Sequence, residues 1–306
     1  MIANGGNNVD VSIIKTIQNS DGTEVSKEEI NKFVNEKLME DYEIIYIDRA
    51  GYGYSDDTNK KQTVEQVVSD YRTALKNAGI DGPYILMPHS LGGLYATYWE
   101  SNYPDEINGV ILIDSSELGI DVWDKEDYNV NFIDYLELFA TKIGLHRFKL
   151  RDYVFALPSI YSKSDQMYSD YLSIHALANN AKLSEIKEIN DNTNITYNNI
   201  ISNDIPKIYI CSHTGFRNRE EFKEHLKWVQ NRQKEIGMKV LNMPSEEKID
   251  EQIMQFIEWE DNAIKPYINK LGNTEIIYLP GDHMIFEEKP DELAKEIKEF
   301  IRRLDN

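Results

Sequence analysis

A chain of 306 residues, 41% hydrophobic and 28% charged, is long enough to bury a substantial core and has the composition of a soluble globular protein. Its 53 acidic residues against 33 basic ones leave a formal net charge of −20, which opposes binding to nucleic acid or to anionic membrane surfaces. A single cysteine, Cys211, excludes an internal disulfide framework and a cysteine-built metal site, and makes a reducing cytoplasm the expected compartment.

No run approaches the roughly 18 apolar residues of a membrane span, and Met1-Ile-Ala-Asn-Gly-Gly lacks the charged start and apolar middle of a signal peptide. Residues 26 to 40 open on Ser-Lys-Glu-Glu, a capping-box pattern, and put Ile30, Phe33, Val34 and Leu38 on one face, which predicts a helix. Residues 42 to 48 are short, apolar and β-branched and read as a buried parallel strand. Helical spacing returns over 63 to 78 through Val67, Val68, Tyr71 and Leu75, with Gly79 as its stop.

A strand at 84 to 87, a helix at 91 to 103 and a strand at 110 to 113 follow, the last bounded by Pro104-Asp105 and Asp114-Ser115-Ser116. Repeated strand–helix–strand units imply a parallel sheet with flanking helices. From 115 to 203 the alternation gives way to helical patches rich in Trp123, Tyr128, Phe132, Tyr135, Phe139, Phe148, Phe155 and Tyr161, the pattern of an inserted helical cap. A strand at 206 to 211, a helix at 219 to 237, a further helix within 242 to 271, a strand at 275 to 279 and an amphipathic helix at 291 to 304 complete the pattern. The organisation expected is a core of residues 1–114 and 204–306 with a cap of 115–203. Internal repeats and zinc-ligand spacing are both lacking in the sequence.

The chemistry is concentrated at Ile85-Leu-Met-Pro-His-Ser-Leu-Gly-Gly93, an apolar run that ends in Ser90 and passes straight into a helical pattern. A sharp strand-to-helix turn presents a serine hydroxyl above the sheet and aims the first helical N–H groups at whatever the oxygen attacks. Gly92 supplies the small residue the turn needs on one side, and Pro88 stands where glycine is usual on the other. Taken alone, a serine before Gly-Gly also fits an ordinary helix cap. A serine nucleophile needs a base, and an imidazole titrates in the right range. Of six histidines, His283 stands in Leu-Pro-Gly-Asp-His-Met between the last strand and the last helix; His89 reads as a packing neighbour of the turn, and His146, His175, His213 and His225 carry no motif.

Four segments together resemble the α/β-hydrolase family of lipases, esterases and peptidases: Asp48-Arg-Ala-Gly-Tyr-Gly-Tyr-Ser-Asp56; His89-Ser-Leu-Gly-Gly-Leu94 with Tyr103-Pro-Asp-Glu106; Val110-Ile-Leu-Ile-Asp-Ser-Ser116; and Gly281-Asp-His283 with residues 287 to 290. The resemblance implies a serine hydrolase working through Ser90, an acid and His283 in that chain order, with no cofactor or metal and a small-molecule ester or amide as substrate. Asp at position 90 would point instead to the epoxide hydrolase or haloalkane dehalogenase branches. Gly51-x-Gly53 lacks the third glycine of a dinucleotide site.

The family's commonest acid position follows the strand after the cap, where Cys211-Ser-His-Thr-Gly-Phe-Arg-Asn-Arg219 has no carboxylate. The alternative position, after the preceding strand, holds Asp114, preferred here over Glu220, Glu221 and Glu117. For the oxyanion hole the resemblance implies the N–H groups of Leu91 and, from Asn4-Gly5-Gly6-Asn7, of Gly6. If Gly5-Gly6 is that loop, the family's two leading antiparallel strands would lie upstream of residue 1, where relatives also carry membrane anchors. A non-catalytic ligand-binding relative is the competing expectation, and the oligomeric state is left open.

Overall fold

A computed structural model describes residues 11–14, 37–38, 41–53, 55–119, 130, 132–142 and 178–304. Strands β1 (Val11–Ile14) and β2 (Ile44–Ile47) pair with each other antiparallel, Val11 opposite Ile47 and Ile14 opposite Ile44. The expectation of a parallel strand over 42 to 48 is therefore corrected: the apolar run forms a strand, but a buried β-branched run carries no information about the direction of its partner. Most of the helix expected at 26–40, the glycine loop with Gly6, and Trp123, Tyr128, Phe148, Phe155 and Tyr161 lie outside the described residues.

Helix α1 (Val64–Asn77) starts at Thr63, whose side chain accepts from the Gln66 N–H, and ends before Gly79 at φ +71°. It buries Val64, Val67, Val68, Tyr71 and Leu75, the face that the sequence spacing marks out. Strand β3 (Tyr84–Leu86) turns into α2 (Gly92–Asn102), and β4 (Ile107–Ile113) lies parallel beside β3. Helices α3 (Phe132–Lys142) and α4 (Asn180–Asn198) precede β5 (Lys207–Cys211). Helix α5 (Arg219–Glu235) is followed by α6 (Glu246–Trp259), a wide π turn (Glu260–Ile264) and α7 (Lys265–Leu271). The single helix expected within 242 to 271 is interrupted there because Pro266 has no N–H for the regular ladder, and the wide turn takes up the mismatch. Strand β6 (Thr274–Tyr278), the short α8 (Ile285–Glu288) and α9 (Pro290–Leu304) close the described chain.

The main sheet runs in the order β3-β4-β5-β6, all parallel. Its central strands are apolar at successive positions because both faces are covered. Val110, Leu112, Tyr209 and Cys211 face a core shared with α1, α2 and α7, whereas Ile111, Ile113, Ile208 and Ile210 face α9 through Leu293, Ile297, Phe300 and Ile301. Helix α4 packs on the first of these faces. Its Asn192 accepts the Val64 N–H at 2.7 Å and donates to the Gln62 carbonyl at 3.0 Å, capping the start of α1 from 128 residues away. A cavity of about 450 Å³ lies between Ile44 and Ile45 of β2 and Ile85, Leu86 and Met87 at the end of β3, and neither Ser90, Asp114 nor His283 lines it.

Candidate active site

In a parallel sheet the residues that follow each strand gather at one edge, so four loops far apart in sequence meet there. Ser90 follows β3, Asp114 follows β4, His213 follows β5 and His283 follows β6. Hydrogen bonds tie these loops to their neighbours. The Ser90 N–H donates to Ile113 and the Ser116 N–H donates back to Ser90; the Asp114 N–H donates to Ile210; the Gly281 N–H and the Ser212 hydroxyl join the β5 and β6 loops.

Ser90 has φ +51° and Asp114 has φ +40°, both in the left-handed region that L residues enter at a cost of roughly 1–2 kcal/mol. At Ser90 the twist turns the segment leaving β3 sharply into the start of α2. Leu91 then stands at the helix start with its N–H beside the serine. Close packing explains the two glycines that follow: a Cβ on Gly92 would come 3.2 Å from the Pro88 ring, and one on Gly93 would sit 2.7 Å from Ser115 Cβ. The second is the tighter contact, so the smallest residue is needed most at Gly93, where α2 crosses the loop after β4.

Asp114 is 3% exposed. Its Oδ1 accepts the N–H groups of Ser212 at 2.9 Å and His213 at 3.2 Å, and its Oδ2 meets Nδ1 of His283 at 2.6 Å and Nδ1 of His213 at 2.5 Å. Burial alone would raise the carboxyl pKa, but the hydrogen bonds from the two imidazoles, the charge of His213 and the Ser212 N–H outweigh it and hold Asp114 well below 3.8. The group is an anion throughout the neutral range. Burial also works against a charge on His213, yet the hydrogen bond and charge of Asp114, with Glu117 and Asp282 nearby, raise that imidazole above its ordinary 6.5.

His283 leaves its other nitrogen free of this contact. With Nδ1–H donated to Asp114, Nε2 carries the lone pair, the tautomer a general base requires. His89 donates Nε2–H to the His283 carbonyl at 2.8 Å, holds its ring tilted against that of His283 with centroids 4.5 Å apart and meets Phe286 edge-on, so it buttresses the loop; burial lowers its pKa and favours this neutral donor form.

The other sequence candidates lie elsewhere. Glu117 is buried against the Tyr209 hydroxyl at 3.0 Å, and its pKa is raised by burial. Glu220 and Glu221 occupy the first turn of α5, where Glu221 accepts the Arg217 N–H. His225 is paired with Glu288 at 2.8 Å, and His146, His175 and Gly6 lie outside the described residues.

His213 carries no motif in the sequence, yet it stands at the C-terminal end of a parallel strand, the same signal that marks Asp114. The donors of Asp114, His213 and His283 lie within 4.8 Å of one another. At 2.5 and 2.6 Å, however, the carboxylate oxygen is closer to both nitrogens than two ligands about 2 Å from one tetrahedral ion would stand, so these contacts are hydrogen bonds.

Residues 22–290 match the family described as an alpha/beta hydrolase fold. The chain belongs to that family. This alpha/beta hydrolase is 27% identical over 282 residues to the uncharacterized protein YbdG of Bacillus subtilis (strain 168), an overlap that covers 88% of this chain and 73% of the relative. Among solved structures it resembles the esterase EaEST from Exiguobacterium antarcticum, with a TM-score of 0.52 at 13% identity over 99% of this chain and 100% of that one. It also resembles the epoxide hydrolase CorEH, with a TM-score of 0.54 at 16% identity over 92% and 88% of the two chains. At such identities the two structures speak for the fold. No described helix of this alpha/beta hydrolase is long and apolar enough to cross a membrane.

Proposed function

We propose that this alpha/beta hydrolase is a serine hydrolase that cleaves an ester or amide of a small molecule through an acyl-enzyme. In this reading Ser90 is the nucleophile, His283 the general base and Asp114 the acid that orients it. The reading rests chiefly on one observation: a buried, anionic Asp114 holds Nδ1 of His283 at 2.6 Å, while Ser90 stands at the end of the adjacent strand in a strained turn. Nε2 of His283 draws the hydroxyl proton as Ser90 Oγ attacks the carbonyl carbon. The leaving alcohol or amine then takes that proton, and water hydrolyses the acyl-enzyme by the same exchange. The Leu91 N–H supplies one oxyanion donor, and the resemblance assigns the second to Gly6; losing one such donor typically costs about 10²- to 10³-fold in rate. A serine at position 90 separates this reading from a dehalogenase or epoxide hydrolase reaction, which would use a carboxylate there. The single thiol suits a reducing cytoplasm.

A fluorophosphonate probe tests the assignment. The wild type is expected to label and to turn over p-nitrophenyl esters, and Ser90→Ala is expected to do neither. Absence of labelling in the folded wild type, or equal labelling of Ser90→Ala, would overturn the reading in favour of a non-catalytic ligand-binding relative.

A further inference from the structure

The residue pair that a Ser-His-Asp reaction requires at Asp114 is accompanied by a third group. Asp114 Oδ2 receives not one imidazole but two, His283 at 2.6 Å from the β6 side and His213 at 2.5 Å from the β5 side. Both contacts run through Nδ1, so both rings must carry their proton on that nitrogen, and the two rings meet edge to face with centroids 5.5 Å apart. Neither imidazole is sealed off: the side chains of His213 and His283 are 46% and 42% exposed, so protons from solvent reach both. The groups facing His213 are Asp114 and Glu117 beyond β4 and Asp282 and His283 beyond β6, three of them acidic.

We propose that His213 is a positioning residue that governs Asp114: as a neutral donor it holds the carboxylate toward His283, and as a cation it takes that charge for itself and slows the reaction. The inference rests on the reading of Ser90, Asp114 and His283 given above. In the neutral state the His213 Nδ1–H, with the backbone N–H groups of Ser212 and His213, fixes the Asp114 carboxylate from three directions, so Oδ2 is aimed before His283 needs it. When Nε2 of His213 takes a proton from water, a full positive charge stands on the oxygen that should stabilise the imidazolium forming at His283. Like charges within about 5 Å disfavour that imidazolium, and with partial solvent screening the loss is of the order of tenfold or more. The reactive form of the enzyme then requires both imidazoles to be neutral, because a charge on either ring opposes a charge on the other across the shared oxygen.

Two measurements on the full chain separate this from a structural role. The first follows the histidine Hε1 resonances by NMR from pH 5 to 9 in the wild type, His213→Gln and His213→Asn, and does not depend on turnover. In the wild type the His283 resonance is expected to move in two steps, one coincident with His213, and in either folded variant in one step. The second is kcat/KM for a p-nitrophenyl ester over the same range. The wild type is expected to fall on the acid side more steeply than one proton allows. His213→Gln is expected to fall with one proton and to reach half its plateau at a lower pH. His213→Leu, which removes the donor, is expected to lose about tenfold in kcat, with part restored by His213→Gln, whose amide N–H can take the same place. Identical titrations of His283 with and without His213 would overturn the inference, as would superimposable pH profiles in the wild type and His213→Gln. So would near-complete loss of activity in His213→Leu with retention in His283→Gln, which would make His213 the base. Failure of the wild type to react with a fluorophosphonate would instead remove the nucleophile assignment, while the NMR titration would still decide whether the two imidazoles share Asp114.

Discussion

Ser90 and Asp114 are the two non-glycine residues with positive φ among those described, and they end adjacent strands at the same sheet edge. Backbone strain of this kind persists only where the surroundings over-determine it. Ser90→Gly should therefore remove the hydroxyl and relieve the turn together: urea unfolding is expected to show a gain of up to about 1 kcal/mol while ester turnover disappears. Asp114 carries two separable effects. Asp114→Asn offers the wrong partner to Nδ1 of His283 and should lower kcat about 10³- to 10⁴-fold with little change in KM. It should also change stability in a pH-dependent way. A carboxyl held below 3.8 in the folded state contributes stability that is fully present above that value and is lost as pH falls through the folded value. The stability difference between wild type and Asp114→Asn, of the order of 2 kcal/mol at pH 7, should thus shrink between pH 4 and pH 2 in urea titrations.

At the scale of elements, α4 shows how a helix remote in sequence is fastened to the sheet side of the molecule. Glu185 on this helix is 5% exposed, accepts hydrogen bonds from the Tyr95 hydroxyl of α2 at 2.5 Å and the Tyr52 hydroxyl at 2.6 Å, and forms an ion pair with the Arg49 guanidinium at 3.0 Å. Removing one member of a buried charged set leaves the others desolvated and unpaired, which costs more than the interaction itself is worth. Glu185→Leu is accordingly expected to lose about 3 kcal/mol, read as a lower urea midpoint, because Arg49 keeps its charge without its carboxylate. Asn192→Ala should cost about 1–2 kcal/mol through the orphaned Val64 N–H at the start of α1. These contacts of α4 join residues 90 or more positions apart in sequence, so neither its own helical periodicity nor that of α1 announces them.

Across the whole molecule, a net charge of −20 spread over 306 residues sets up self-repulsion that salt screens. Raising sodium chloride from about 0.01 M to about 0.3 M is expected to raise the melting temperature, by a few degrees, in a thermal-shift series; a fall would show that ion pairs outweigh repulsion. The two-sided core explains which parts of the architecture were legible. Strands β4 and β5 are apolar at consecutive positions because α1, α2 and α7 cover one face and α9 the other, and that composition predicts a buried parallel strand from sequence. Strand β2 has the same composition but pairs antiparallel with β1, and nothing in its residues distinguishes the two outcomes.

Local chemistry is written locally. The Gly79 stop of α1, the amphipathic face of α9, the turn around Ser90 and the His283 segment each depend on residues a few positions apart, and all are readable in the chain. The sharing of Asp114 was not, because it joins groups 99 and 169 positions apart through the order in which strands lie side by side. Strand order follows from how helices cover both faces of the sheet, a property of the packed whole. The sequence by itself placed Ser90, Asp114 and His283 at the ends of three strands of one parallel sheet. Only the tertiary structure decided that two imidazoles, rather than one, reach the same buried carboxylate oxygen, since hydrogen-bond partners are chosen by distance in space and carry no mark along the chain.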